Sequence, residues 1–153
     1  MRLFRCNLDS DGLEDFYLVA TRAGSNRVQA WLSRGLSAPA YAPEYSHETK
    51  GSEFHALVAD FAGDGRADLA YSAVGVLRLL EYSDGALELR AEITPFGSTT
   101  TRVSGLLLID ANGDTTPDVL AWNGATLKLI EVADCLPSAT QTYKQGIVSN
   151  HMP

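Results

Sequence analysis

Oxygen-bearing side chains recur on one beat in this chain. Asp110, Asn112, Asp114 and Asp118 fill positions 1, 3, 5 and 9 of "DANGDTTPD". Asn7, Asp9, Asp11 and Asp15 do the same in "NLDSDGLED", and Asp60, Asp64 and Asp68 in "DFAGDGRAD", where Ala62 breaks position 3. Alternate residues of a tightly turned loop can point inward together, and a glycine inside the loop lets the backbone make the turn. Calcium takes roughly six to eight oxygens at about 2.3–2.6 Å, from carboxylates, carbonyls and water. Each loop offers three or four side-chain donors and a backbone carbonyl near position 7 (Leu13, Arg66, Thr116). Magnesium suits such a loop less, because it demands a stricter octahedron and keeps its own waters. The same residues also have a metal-free reading, as aspartate-rich turns closed by side-chain to backbone hydrogen bonds.

An EF-hand is excluded. Its loop needs a bidentate Glu at position 12 and flanking helices, whereas position 12 here is Leu18, Tyr71 or Ala121 on strand-like flanks. Nor is there a catalytic constellation. His47, His55 and His151 are dispersed without ligand or triad spacing, and neither Cys6 nor Cys135 lies in a nucleophile motif. Paired aspartates can run glycoside hydrolysis, but their repetition beside a glycine turn fits a structural role better. The chain reads as a non-enzyme.

The elements that position these loops repeat with them. Residue 60 laid on residue 110 brings "LVAD" onto "LLID", "DLAYS" onto "DVLAW" and "LRLLE" onto "LKLIE" without a gap. A looser first copy runs "DFYLVAT", a longer turn "RAGSNR", then "VQAWLS". The strands are short, rich in Leu, Val, Ile, Tyr and Trp, and broken by Gly, Asn and Asp. Asp84-Gly85 and Asn123-Gly124 are turn dipeptides. "LRLLEYSDGALELRAEI" reads as a hairpin around the first of them, with an alternating, half-exposed second strand. Residues 37–53 read as a fourth strand plus a connector. No capped helical pattern occurs. Trp31, Trp122, Tyr17 and Tyr71 fall on strands as core residues rather than sugar platforms. The expected fold is all-β: three four-stranded β-propeller-type blades in one domain, with repeats at roughly 1–50, 51–98 and 99–150. A sandwich of the same strands leaves the 50-residue register unexplained.

The pattern D-x-[DN]-x-D-G-x-x-D before an apolar strand resembles the calcium loop of FG-GAP and VCBS-type repeats, which build the propellers of integrin alpha chains and of many secreted bacterial proteins. The resemblance implies that the loop joins the first and second strands of a blade and that positions 1, 3, 5 and 9 bind Ca2+. The chain is nearer the VCBS kind, since the "GAP" tripeptide is absent. It departs from the pattern at Ala62, and at Thr115, which stands where glycine belongs and would be strained at positive φ. The expected order of occupancy is first loop, third loop, second loop.

A net charge of −7 and a pI of about 4.8 argue against a nucleic-acid surface. No stretch approaches the ~18 apolar residues of a membrane span, and "MRLFRCNLDS" lacks a secretory signal core. Cys6 and Cys135 read as two unpaired thiols rather than a bridge. The expected role is a noncatalytic calcium-binding interaction or adhesion module of a secreted or surface protein, extracellular and cut from a larger precursor. A glycan-binding lectin and an accessory segment of a polysaccharide-degrading enzyme or toxin are the alternatives. Three blades are too few to close a ring of roughly four to eight, so further blades from the same precursor or a homo-oligomer should complete it. The protein or glycan ligand is not legible in the sequence.

Overall fold

A computed structural model describes residues 1–22, 25–34, 37–48, 54–124 and 126–132. They form β1 (Arg2–Cys6), β2 (Asp15–Arg22), β3 (Ser25–Arg34), β4 (Ser37–Glu48), β5 (Phe54–Ala59), β6 (Asp68–Ala73), β7 (Val76–Ser83), β8 (Ala86–Ile93), β9 (Gly105–Ile109), β10 (Asp118–Asn123) and β11 (Thr126–Ile130). The fold is all-β, with no helical element among the described residues. Consecutive strands pair antiparallel into three sheets, β1-β2-β3-β4, β5-β6-β7-β8 and β9-β10-β11. A fourth strand of the third repeat would fall outside the described residues, as do Cys135 and His151.

The registers are equivalent where it matters. Cys6 pairs with Asp15, Ala59 with Asp68 and Ile109 with Asp118, so each aspartate loop is closed between paired residues of the first two strands of its sheet. The Asp84-Gly85 hairpin forms between Ser83 and Ala86, with φ of 50° and 83° at its two tip residues, the signature of a type I′ turn. The longer "RAGSNR" turn does not form. β2 and β3 instead extend until Arg22 pairs with Ser25, and the extra residues lengthen the strands.

The sheets stack in series. Tyr17, Val19 and Val28 of the first sheet meet Leu69, Tyr71 and Leu80 of the second. The opposite face of the second sheet, through Ala70, Leu77 and Leu79, meets Val119, Ala121 and Ile130 of the third. With both faces covered, β7 is buried along all but its last residue, so its apolar residues do not alternate with polar ones, and its two charged residues, Arg78 and Glu81, are buried as well. Between the sheets β4 lies against β8, and β5 lies against β9.

Among the described residues the stack ends on an open face. Leu77 is fully buried, yet its repeat-equivalent Leu127 is 50% exposed, and Leu107, Ile109 and Trp122 share that face. Trp122 is therefore not a core residue as its strand position suggested. Its indole lies over Gly105, where a Cβ would come within 2.0 Å of the ring. Trp31 is half-buried and stacks on Phe16, centroids 5.9 Å apart, whereas Tyr17 and Tyr71 are fully buried. The second and third repeats are strapped together at Gly75. Its N–H donates to Thr99 O at 3.1 Å and Val103 N–H to Val74 O at 3.0 Å. The 98–103 segment passes so close that a Cβ at Gly75 would meet Ser98 O at 2.4 Å.

Candidate functional site

The loops share one backbone. Positions 4 and 6 both take positive φ: Ser10 and Gly12, Gly63 and Gly65, Gly113 and Thr115. Thr115 at φ 72° is the strained position that its sequence pattern anticipates, and Ser10 at φ 61° is a second one. Position 5 also acts alike in all three loops. Oδ1 of Asp11, Asp64 and Asp114 accepts the N–H of Leu13 (2.7 Å), Arg66 (2.9 Å) and Thr116 (2.7 Å). Those bonds hold the Asp114 carboxyl below the usual carboxylate range, chiefly through Thr116 and then Asn112.

Position 9 anchors each loop to its sheet. Asp15, Asp68 and Asp118 are almost fully buried. Asp15 accepts Leu8 N–H and Ser33 N–H, both at 2.8 Å. Asp118 accepts Ala111 N–H at 3.1 Å and Val132 N–H at 3.2 Å. Each carboxylate thus ties the loop to the end of the third strand of its sheet, and charge-assisted bonds to amides offset the cost of burying the charge. Asp68 differs. Its Oδ2 takes both Phe61 N–H (2.9 Å) and Ala62 N–H (3.0 Å), while Oδ1 is buried without a donor among the described residues. Burial pushes this carboxyl up to about 7 against the two amide bonds, with Glu81 and Asp64 adding repulsion.

Positions 1 and 3 separate the loops. In the first, Asn7 Oδ1 accepts Ser10 N–H at 2.8 Å and Asp9 Oδ1 accepts Asp11 N–H at 3.2 Å. Oδ2 of Asp9 and of Asp11 has no partner among the described residues, and Asp11 is exposed. In the third, Asp110 accepts Gly113 N–H (2.7 Å) and Thr115 N–H (3.2 Å). Asn112 accepts Asp114 N–H at 2.9 Å through Oδ1 and donates its amide to Asp114 Oδ2 at 2.8 Å. In the second, Asp60 accepts Gly63 (2.6 Å) and Asp64 (3.0 Å) N–H on Oδ1 and Gly65 N–H (2.8 Å) on Oδ2.

The donor sets do not fit a cation equally. Among the described residues no three His, Cys, Asp or Glu side chains converge as a ready metal shell. The first loop nevertheless supplies hard oxygens only, two of them unengaged, and carboxylate oxygens holding one hydrogen bond keep a further lone pair. The third loop fits less readily: each Asp110 oxygen already holds one amide, and Asp114 Oδ2 comes free only when the Asn112 amide turns from it. The second does not fit. Ala62 brings no donor, and the Arg66 guanidinium sits on Asp64 Oδ2, Nε at 2.8 Å and Nη2 at 2.5 Å. Burial alone would raise the Asp64 carboxyl, but these Arg66 contacts outweigh it and hold it below its ordinary value.

Several groups escaped the motif reading. Arg66 stands at position 7, where Leu13 and Thr116 stand elsewhere, and a basic residue beside a loop aspartate was the available signal. Glu81, buried in β7, receives Arg66 Nη2 at 3.3 Å and Arg90 Nε at 2.8 Å. Arg78, also buried, stacks over Tyr71 at 5.9 Å, with Nε 3.0 Å from Glu92 Oε2 but off the hydrogen-bond axis. Cys6 is a free thiol among the described residues, pushed up to about 12 by burial, so at neutral pH it stays protonated. No helix among the described residues is long and apolar enough to cross a membrane.

Antiparallel meanders of three or four described strands, each carrying an aspartate loop between its first two strands and stacked face to face, define a class of repeat protein. The FG-GAP-like repeat profile matches residues 7–71 and 60–121, starting each time on position 1 of a loop and together covering more than half of the chain. The protein belongs to the FG-GAP-like repeat family. No curated protein and no solved structure matches the chain.

Proposed function

We propose that the protein is a noncatalytic interaction module of a secreted or surface protein, a segment of a β-propeller whose first and third loops take calcium. Membership of the FG-GAP-like repeat family supports the interaction role. The observation that carries the calcium reading is the first loop. Its anchor Asp15 is locked into the sheet while Asp9 and Asp11 keep outward oxygens unengaged. Asn7, Asp9, Asp11 and the Leu13 carbonyl would hold the ion there, with Asp15 at its rear. Asp110, Asn112, Asp114 and the Thr116 carbonyl would hold it in the third loop, backed by Asp118. A bound cation would neutralise carboxylates that otherwise repel one another. The serial stacking of β5 on β9 and β4 on β8 supports the blade reading, and the open face of the third sheet is where a further blade would pack.

Calorimetry in calcium and in chelator tests the proposal. A ligand that binds only the native state adds about 2.7 kcal/mol at a hundredfold excess over Kd, so calcium should raise the melting temperature. Asp11→Ala should remove more of that gain than Asp64→Ala, with the third loop keeping its own share. Equal melting temperatures in millimolar calcium and in excess chelator would overturn the calcium assignment.

A further inference from the structure

We propose that the second loop, residues 60–68, is a metal-independent latch in which Arg66 takes the part that a cation plays in the other two. This rests on the calcium reading only for the contrast, since the latch itself stands on its own contacts. The position 1 and position 5 carboxylates already hold a partner on each oxygen, and only the buried Oδ1 of Asp68 lacks a donor among the described residues. Asp60 spends both oxygens on three amides, Asp64 Oδ1 holds Arg66 N–H, and Asp64 Oδ2 holds the guanidinium twice. The guanidinium reaches on to Glu81 at 3.3 Å, and Glu81 to Arg90 at 2.8 Å, so the positive charge is shared between the loop and strands β7 and β8. The backbone agrees. Both positive-φ positions of this loop are glycine, Gly63 and Gly65, so it adopts its turn without the strain that Ser10 and Thr115 carry.

The latch also reaches the neighbouring loop. The peptide beside Arg66 is fixed across the repeat boundary, with Ala67 N–H donating to Asn7 O at 2.8 Å and Tyr17 Oη donating to Ala67 O at 2.9 Å. At the equivalent place in the third loop stands Pro117, which has no N–H to give. The second loop thus holds position 1 of the first loop in place, whether or not an ion is present.

Hydrogen exchange on the full chain, with and without calcium, tests the latch. The 63–66 amides should exchange at the same rate in calcium and in chelator. Arg66→Gln should speed them by roughly tenfold in both conditions, as expected when a local opening loses a partly buried ion pair. Arg66→Lys should recover only part of the protection, because an ammonium lacks the fork that grips Asp64 and Glu81 together. Asp64→Asn keeps the Oδ1 acceptor, so it should reproduce the Arg66→Gln effect, and the double variant should add nothing further. Calcium slowing exchange at 63–66 as much as at 9–13 would overturn the latch, as would Arg66→Gln exchanging like wild type. If 9–13 ignores calcium while Arg66→Gln still loosens 63–66, the calcium assignment falls and the latch stands.

Discussion

Replacing Asp68 with Asn should flatten part of the protein's stability profile between pH 4 and 7. Asp68 is nearly fully buried, and its Oδ1 finds no donor among the described residues. Burial, with Glu81 and Asp64 nearby, lifts its carboxyl from 3.8 to about 7. A carboxyl raised on folding binds its proton more tightly in the native state, so native protein holds more protons than unfolded chain across that window. Stability from this group is therefore greatest below pH 4, falls as pH rises towards 7, and is level above it. About three pKa units at ~1.36 kcal/mol each set an upper bound of ~4 kcal/mol on the fall, and solvent relaxation around the charge reduces it to about half or less. Asp68→Asn removes the titration while leaving an Oδ1 to accept the Phe61 and Ala62 amides. Urea melts of both proteins from pH 4.5 to 8, in chelator, give the difference directly, because other titrating groups cancel. The variant should gain on wild type by about 1 kcal/mol or more as pH rises. Parallel curves would mean that Asp68 is ionised throughout, and the account of its buried oxygen would be wrong.

Gly75→Ala should cost about 1–3 kcal/mol in urea melts, because its Cβ would meet backbone atoms of Ser98 and Thr101 at 2.4 and 2.6 Å and the strap must shift. Thr115→Gly should stabilise the protein by about 1 kcal/mol, relieving the φ of 72° at some cost in chain entropy. Leu107→Lys with Leu127→Lys should leave the melting temperature nearly unchanged yet lower the mass seen by light scattering if the open face joins copies. An unchanged mass would assign that face no role in self-association.

The repeat was legible because it is written in spacing. Asp or Asn at position 1 and Asp at positions 5 and 9 fix where each loop opens and closes, and the pairing of Cys6 with Asp15, Ala59 with Asp68 and Ile109 with Asp118 follows from that. The Asp84-Gly85 turn was legible because positive φ at two successive residues restricts their type. Strand length in the first repeat was not, since "RAGSNR" has loop composition, yet cross-strand pairing carried β2 and β3 to Arg22 and Ser25. Burial was legible only where both faces have neighbours. "LRLLE" and "LKLIE" are alike in type, but Leu77 has a sheet above it and Leu127 has none among the described residues. A residue cannot encode the presence of its neighbour.

The loops themselves diverge along a line that spacing does not reveal. Ser10 in the first loop and Thr115 in the third sit at positive φ, a conformation costing such residues on the order of 1 kcal/mol. The second loop has glycine at both such positions and so avoids that cost. It also carries its own cation, with Arg66 on Asp64 and Glu81. Backbone strain and unengaged carboxylate oxygen thus occur together in the first loop, and relaxed backbone and internal neutralisation occur together in the second. A loop that gains stability from an outside ion can carry a strained residue, because the ion's binding free energy offsets it. A loop closed by its own side chains has no such reserve. On this reasoning, Gly63→Ala should destabilise the protein by about 1 kcal/mol to the same extent in calcium and in chelator, whereas Ser10→Gly should stabilise it by a similar amount. Urea melts of the two variants in both media check this, and a Gly63→Ala cost that calcium reduces would overturn the reading of the second loop as closed by its own side chains.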